Sequence, residues 1–163
     1  MKPADLVSLL QECYRERLAL VERHKAVATH VLEYNANNTY QYVINREETH
    51  LTWLADALGA LGATVPADVA GPSVTIGRGK DAWRALADED ATGIQAFLAR
   101  WQPRVESLSQ ARDQTMLRLM LGEVKEQLRF FQQVGSAQPE LLGRSDTGAG
   151  ERGVVGPNRW IGQ

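Results

Sequence analysis

Four ionisable side chains fall where a helix would bury them, and they are of the types that hold metal ions or close buried polar networks. Glu47 and His50 are three residues apart, so on a helix they share one face, about 60° from one another. That face is the apolar one, shared with Val43, Leu54 and Ala57. A carboxylate and an imidazole at this spacing can bind one ion together, and such ligands suit iron, manganese or zinc. The same two groups can instead form a buried hydrogen-bonded pair, or Glu47 can be salt-linked to Arg46 or Arg17. His24 lies in an apolar stripe between Leu20 and Val27. It reads either as a third ligand donated across a helical hairpin or as a core histidine satisfied by Glu47. Arg17 also points inward, and a buried guanidinium needs a carboxylate.

Two further acids come near the same depth if the chain crosses the length of its own bundle. Glu123 sits at the edge of a broad apolar arc and Glu126 three residues on is close to solvent, so Glu123 reads as a flanking acid or a fourth ligand. Asp90 reads as an acid at the start of a helix, where negative charge is favoured. His30 and Glu33 point away from the stripe and read as surface residues. Cys13 is the single cysteine; it falls on an apolar face as core filling and rules out an internal disulfide.

The elements that must position these groups are helices. From Ala4 to Tyr34 there is neither Pro nor Gly, and Leu6, Leu10, Cys13, Leu20, Val27 and Val31 recur at helical spacing, with Leu32 on the shoulder. Asn35 to Asn38 then predicts a turn, with Asn38 and Gln41 spaced as a capping box. A second helix spans Thr39 to Leu61 and stops at Gly62. Pro66, Gly71, Pro72, Gly77 and Gly79 exclude a helix from Ala63 to Gly79. Extended, that stretch reaches about 50 Å, enough to run back along a whole bundle. A third helix is expected over Asp81–Leu108, kinked at Pro103, with the next turn near Ser107–Arg112. The fourth covers Ala111–Val134.

Composition narrows the function classes. The 163 residues fit one domain and carry a formal charge of -2, which argues against a nucleic-acid partner. No run approaches the roughly 18 apolar residues of a membrane span, and Met1 to Leu10 lacks the pattern of a signal peptide. With one cysteine, a reducing cytoplasm is the simplest location. Residues 136–163 turn to Gly, Ser, Asp and Arg but include Val154, Val155, Trp160 and Ile161. This irregular tail is expected to dock on the bundle (residues 1–135) or on a neighbouring subunit of a homo-oligomer.

The stretch Tyr42 to Gly62, YVINREETHLTWLADALGALG, resembles the second helix of the ferritin-like superfamily, with Glu47-x-x-His50 on its metal-facing side. The resemblance implies an antiparallel four-helix bundle with a long second-to-third connection, and inward carboxylate and histidine ligands for two metal ions. The chain departs from that ligand plan. The first helix offers His24 inward, the third offers only Asp90, and the fourth has Glu123-x-x-Glu126 without a histidine. Two functions are therefore expected as alternatives. One is metal binding by Glu47, His50, His24 and Glu123, with an oxidase or metal-handling role. The other is a non-catalytic bundle with a metal-free polar network, acting by self-association.

Overall fold

The computed structural model describes residues 2–67, 71–79 and 81–135, which form an all-α four-helix bundle: α1 (Pro3–Ala28), α2 (Tyr34–Ala60), α3 (Trp83–Glu106) and α4 (Ala111–Gly135). α1 opens with Pro3, whose missing N–H would have had no partner in a first turn. α2 closes where Gly62 takes a left-handed φ of +66°, Gly62 N–H reaching Gly59 O and Ala63 N–H reaching Leu58 O. That is the pair of hydrogen bonds of a Schellman cap, and it needs a residue without Cβ strain at Gly62.

The first turn differs from the sequence expectation. α1 ends at Ala28, and Asn35 to Asn38 lie inside α2. Glu33 caps α2, its carboxylate accepting from the backbone N–H of Asn35 (3.0 Å) and Ala36 (2.6 Å). A carboxylate meets the positive end of a helix better than the Asn38 amide would. Asn37 instead turns its amide back to donate to Ala28 O at 3.1 Å and Val31 O at 3.0 Å, closing α1. Leu32, expected on the apolar shoulder, stands 90% exposed in this turn.

α1 packs on α2 and α3, and α4 packs on α3 and α2. Pairs at each seam fix the directions. Glu12 meets Arg104 while Arg23 meets Asp90, so α1 and α3 are antiparallel. Tyr42 meets Phe130 while Arg46 meets Glu123, so α2 and α4 are antiparallel too. α2 and α3 are thus diagonal and run the same way, and the link must cross from one end of the bundle to the other. It does so along α1: Gln11 donates to Thr64 O at 2.9 Å, Gly71 lies against Glu22, and Val74 and Ile76 pack on the core. Pro103 is inside α3, and the turn follows at residues 107–110, as the stripe predicts.

The core is one continuous cluster that includes Leu10, Cys13, Leu54, Leu58, Ile94, Trp101, Leu117, Met120 and Phe131. Each such side chain contributes roughly 1.5–3 kcal/mol by leaving water. Burial pushes the Cys13 thiol up to about 12, in keeping with its reading as core filling. No described helix is long and apolar enough to cross a membrane. The expected docking of the 136–163 tail lies outside the described residues.

Candidate functional site

Among the described residues the helical period brings seven polar side chains inside: Arg17 and His24 from α1, Thr39, Glu47 and His50 from α2, Asp90 from α3 and Gln127 from α4, none more than 2% exposed. Arg17, His24, Glu47, His50 and Gln127 are joined by one network. Glu47 Oε2 accepts from His24 Nδ1 at 2.8 Å, and Glu47 Oε1 lies 3.1 Å from Arg17 Nη1, an ion pair off the hydrogen-bond direction. Arg17 Nη2 donates to Gln127 Oε1 at 2.6 Å and to His50 Nδ1 at 3.1 Å. On its other side His50 Nε2 is 2.9 Å from Glu123 Oε2. Glu123 is itself gripped by Arg46 through Nε at 3.0 Å and Nη2 at 2.5 Å.

These contacts assign the protons. A guanidinium only donates, so His50 Nδ1 must accept, and the ring proton sits on Nε2 and goes to the Glu123 carboxylate. Burial and the adjacent Arg17 charge lower His50 to about 4, so the ring is neutral near pH 7. Burial pushes the Glu47 carboxyl up, but His24 and Arg17 more than offset that and hold it below the usual carboxylate range. Glu123, half-buried, is likewise pushed up by burial and drawn down further by Arg46 and His50.

A second polar group lies nearby. Asp90 accepts from Tyr40 O–H at 2.6 Å and from Arg23 Nε at 2.6 Å, and Arg23 also reaches Glu89 at 2.9 Å. Burial raises the Asp90 carboxyl despite those partners. The ring of Tyr40 packs edge-on to Phe131 at 5.0 Å, and His24 lies 4.8 Å from that same Phe131.

The sequence-derived set is therefore partly gathered. His24, Glu47 and His50 all face the interior, and Glu123 touches His50 from the rim. Arg17 finds the carboxylate it was expected to need. Asp90, read as a helix-start acid, is instead buried seven residues into α3. Gln127 was missed, although it occupies the stripe of Leu117, Met120, Val124 and Phe131, where a polar residue should have been flagged. Tyr40 carries no signal in the sequence beyond its aromatic ring, and the pattern could not show its hydroxyl turning to Asp90.

A metal implied by the ferritin-like resemblance can be tested against these atoms. Both nitrogens of His50 are engaged, and both oxygens of Glu47 face cationic or N–H partners. No group of three or more His, Cys, Asp or Glu able to hold a metal ion occurs among the described residues. The space between Glu47 and His50 is filled by the Arg17 guanidinium, already a cation. The residues do not fit a dinuclear metal centre. No protein-family model, curated protein or solved structure matches the chain.

Proposed function

We propose that the chain is a non-catalytic helical bundle of ferritin-like type that carries its own core cation and works by associating with a second copy of itself. The observation that carries the first half is the placement of the Arg17 guanidinium between Glu47, His50 and Gln127 at 2.6–3.1 Å. It neutralises the one glutamate that is fully buried among the described residues and uses the acceptors a metal would require. Self-association is supported by the α2/α4 face, where Leu119 is 57% and Tyr42 46% exposed, with Trp53 and Met116 half-buried beside Leu119. The link runs over the opposite side, along α1. A location in a reducing cytoplasm belongs to the same proposal and rests on the lone, buried Cys13.

The rival reading makes Glu47, His50, His24 and Glu123 ligands of iron, manganese or zinc in a metal-handling or oxidase role. One observation favours it: His24 Nε2 is buried without a partner. Thermal melting of protein purified without chelator or metal affinity, with and without added Fe(II), Mn(II) or Zn(II), separates the two. A metal-free bundle melts unchanged. A native-state site raises the melting temperature by mass action, by several degrees for a chain of this size. Sedimentation of the wild type and of Leu119→Glu tests the association: a wild-type dimer that Leu119→Glu makes monomeric is expected, and a wild-type monomer sinks that half.

A further inference from the structure

We propose that two copies of the chain meet through the α2/α4 face about a two-fold axis parallel to the helices, each Arg46 facing Glu123 of the other copy. The inference rests on the self-association reading and fixes its geometry. Along the groove between these antiparallel helices the side chains pair level by level. Tyr42 is level with Phe130, their rings 5.8 Å apart. Arg46 is level with Glu123, to which its Nε donates at 3.0 Å. Trp53 shares a hollow of about 420 Å³ with Met116 and Leu119. The face is thus an ion pair between two apolar ends, with its cation on α2 and its anion on α4. Glu126 lines the same groove but is held by Arg129 at 3.0 Å, which leaves Arg46 to Glu123.

This pattern selects one way of stacking a second copy. A two-fold axis parallel to the helices lays α2 of one copy on α4 of the other and keeps every level. Arg46 then faces Glu123, Tyr42 faces Phe130, and Leu119, 57% exposed, enters the hollow beside Trp53. A two-fold axis across the helices lays α2 on α2 and α4 on α4. Centred on the ion pair, it sets Arg46 on Arg46 and Glu123 on Glu123. Like charges that lose water against each other are disfavoured, whereas an alternating ring of two guanidinium and two carboxylate groups is self-complementary. Arg46 and Glu123 keep 36% and 27% of their side chains exposed, so both have surface with which to meet a second copy. Glu123 also accepts from His50 at 2.9 Å, so Arg46 of the second copy would reach the outermost acceptor of the buried network.

The test places spin labels off the face, on full-length Leu32→Cys and Ser109→Cys chains, with Cys13 left buried in the core. Both positions are exposed, Leu32 in the first turn and Ser109 in the turn between α3 and α4, at opposite ends of the bundle. They lie roughly 40 Å apart along its length. Pulsed electron resonance on the dimer is expected to give short distances for Leu32 with Leu32 and for Ser109 with Ser109, and a longer one for the mixed pair. A mixed pair closer than either like pair overturns the parallel axis. Charge exchange checks the contact itself. Arg46→Glu and Glu123→Arg should each weaken the dimer by about tenfold or more, and mixing the two chains should restore a heterodimer. Variants that fold by circular dichroism yet dimerise as wild type, or do not pair when mixed, overturn the Arg46–Glu123 contact; should either fail to fold, the label distances decide. A wild-type dimer with the wrong distances sinks only this geometry, whereas a wild-type monomer sinks the self-association reading with it.

Discussion

Glu47 and Asp90 are both fully buried carboxylates with two polar partners each, yet burial is overcome at one and prevails at the other. The difference lies in what is buried with them. Glu47 faces the His24 ring and a guanidinium that are both entirely out of water, so the attraction is little screened. Asp90 faces Arg23, which is 27% exposed and shares its charge with Glu89 at the surface. A cation that keeps its own hydration does less for a buried anion than one removed from water beside it. The cost is symmetrical: Arg17 is pulled below its ordinary value by burial, the charge of Glu47 only partly restoring it.

The largest break in this comparison is Arg17→Met, which keeps volume and removes charge. It strands Glu47 and should lower stability by about 3–5 kcal/mol in urea denaturation. Restoring neutrality with Glu47→Gln in the same chain should recover a large part of the loss, and a purely additive double variant would show that the two groups are not coupled.

Next in size is a pH effect at His50. Its folded value, about 4, lies below its ordinary 6.5, so between those limits the unfolded chain takes up a proton that the folded one refuses. Stability should therefore fall by about 3 kcal/mol as pH drops from 6.5 to 4, and His50→Gln should flatten that slope. Glu47, whose folded value is depressed, adds a loss of the same sign as pH falls through it. Asp90, whose folded value is raised, acts in the opposite direction: its contribution shrinks as pH rises through the folded value. A pH–stability curve of Asp90→Asn steeper on the acid side than the wild type would confirm that opposition; an unchanged curve would remove it.

Smaller still are the outer contacts. Tyr40→Phe deletes one hydrogen bond to a buried carboxyl and should cost about 1–3 kcal/mol. Arg23→Gln removes a partly hydrated ion pair and should cost about 1 kcal/mol or less by the same measurement. If Arg23→Gln proves as damaging as Arg17→Met, exposure of the partner is not what distinguishes the two carboxylates.

The helical period made most of this legible. Arg17, His24, Glu47 and His50 stand out because each interrupts an apolar stripe, and the same rule applied to α3 and α4 reaches Asp90 and Gln127. Asp90 lies seven residues after Trp83 and four before Ile94, on the buried face; its position near a helix start concealed that. The filling of the centre was not legible, because periodicity tells which side chains turn inward and nothing about which of them meet. Arg17 is a flexible side chain, and whether its guanidinium reaches Glu47 depends on packing across the hairpin. At the first turn the run of asparagines marked a place several residues too late, because the Glu33 carboxylate, and not an Asn amide, takes the free N–H groups and starts α2 at Tyr34.

The diagonal link has a consequence for how the chain assembles. α1 and α2 are joined by a short turn, as are α3 and α4, so each hairpin can close by local search in microseconds, before the long connection matters. Arg17, His24, Glu47 and His50 all belong to the first hairpin, which can bring its opposite charges together while water still reaches them. Gln127 and Glu123 arrive only when the second hairpin docks and expels that water. The desolvation of the ion pair therefore falls late on the folding route, after the partners have met. Because the ends of a flexible segment are brought together at a cost that grows only logarithmically, doubling the link should slow docking while costing about 0.6 kcal/mol at equilibrium.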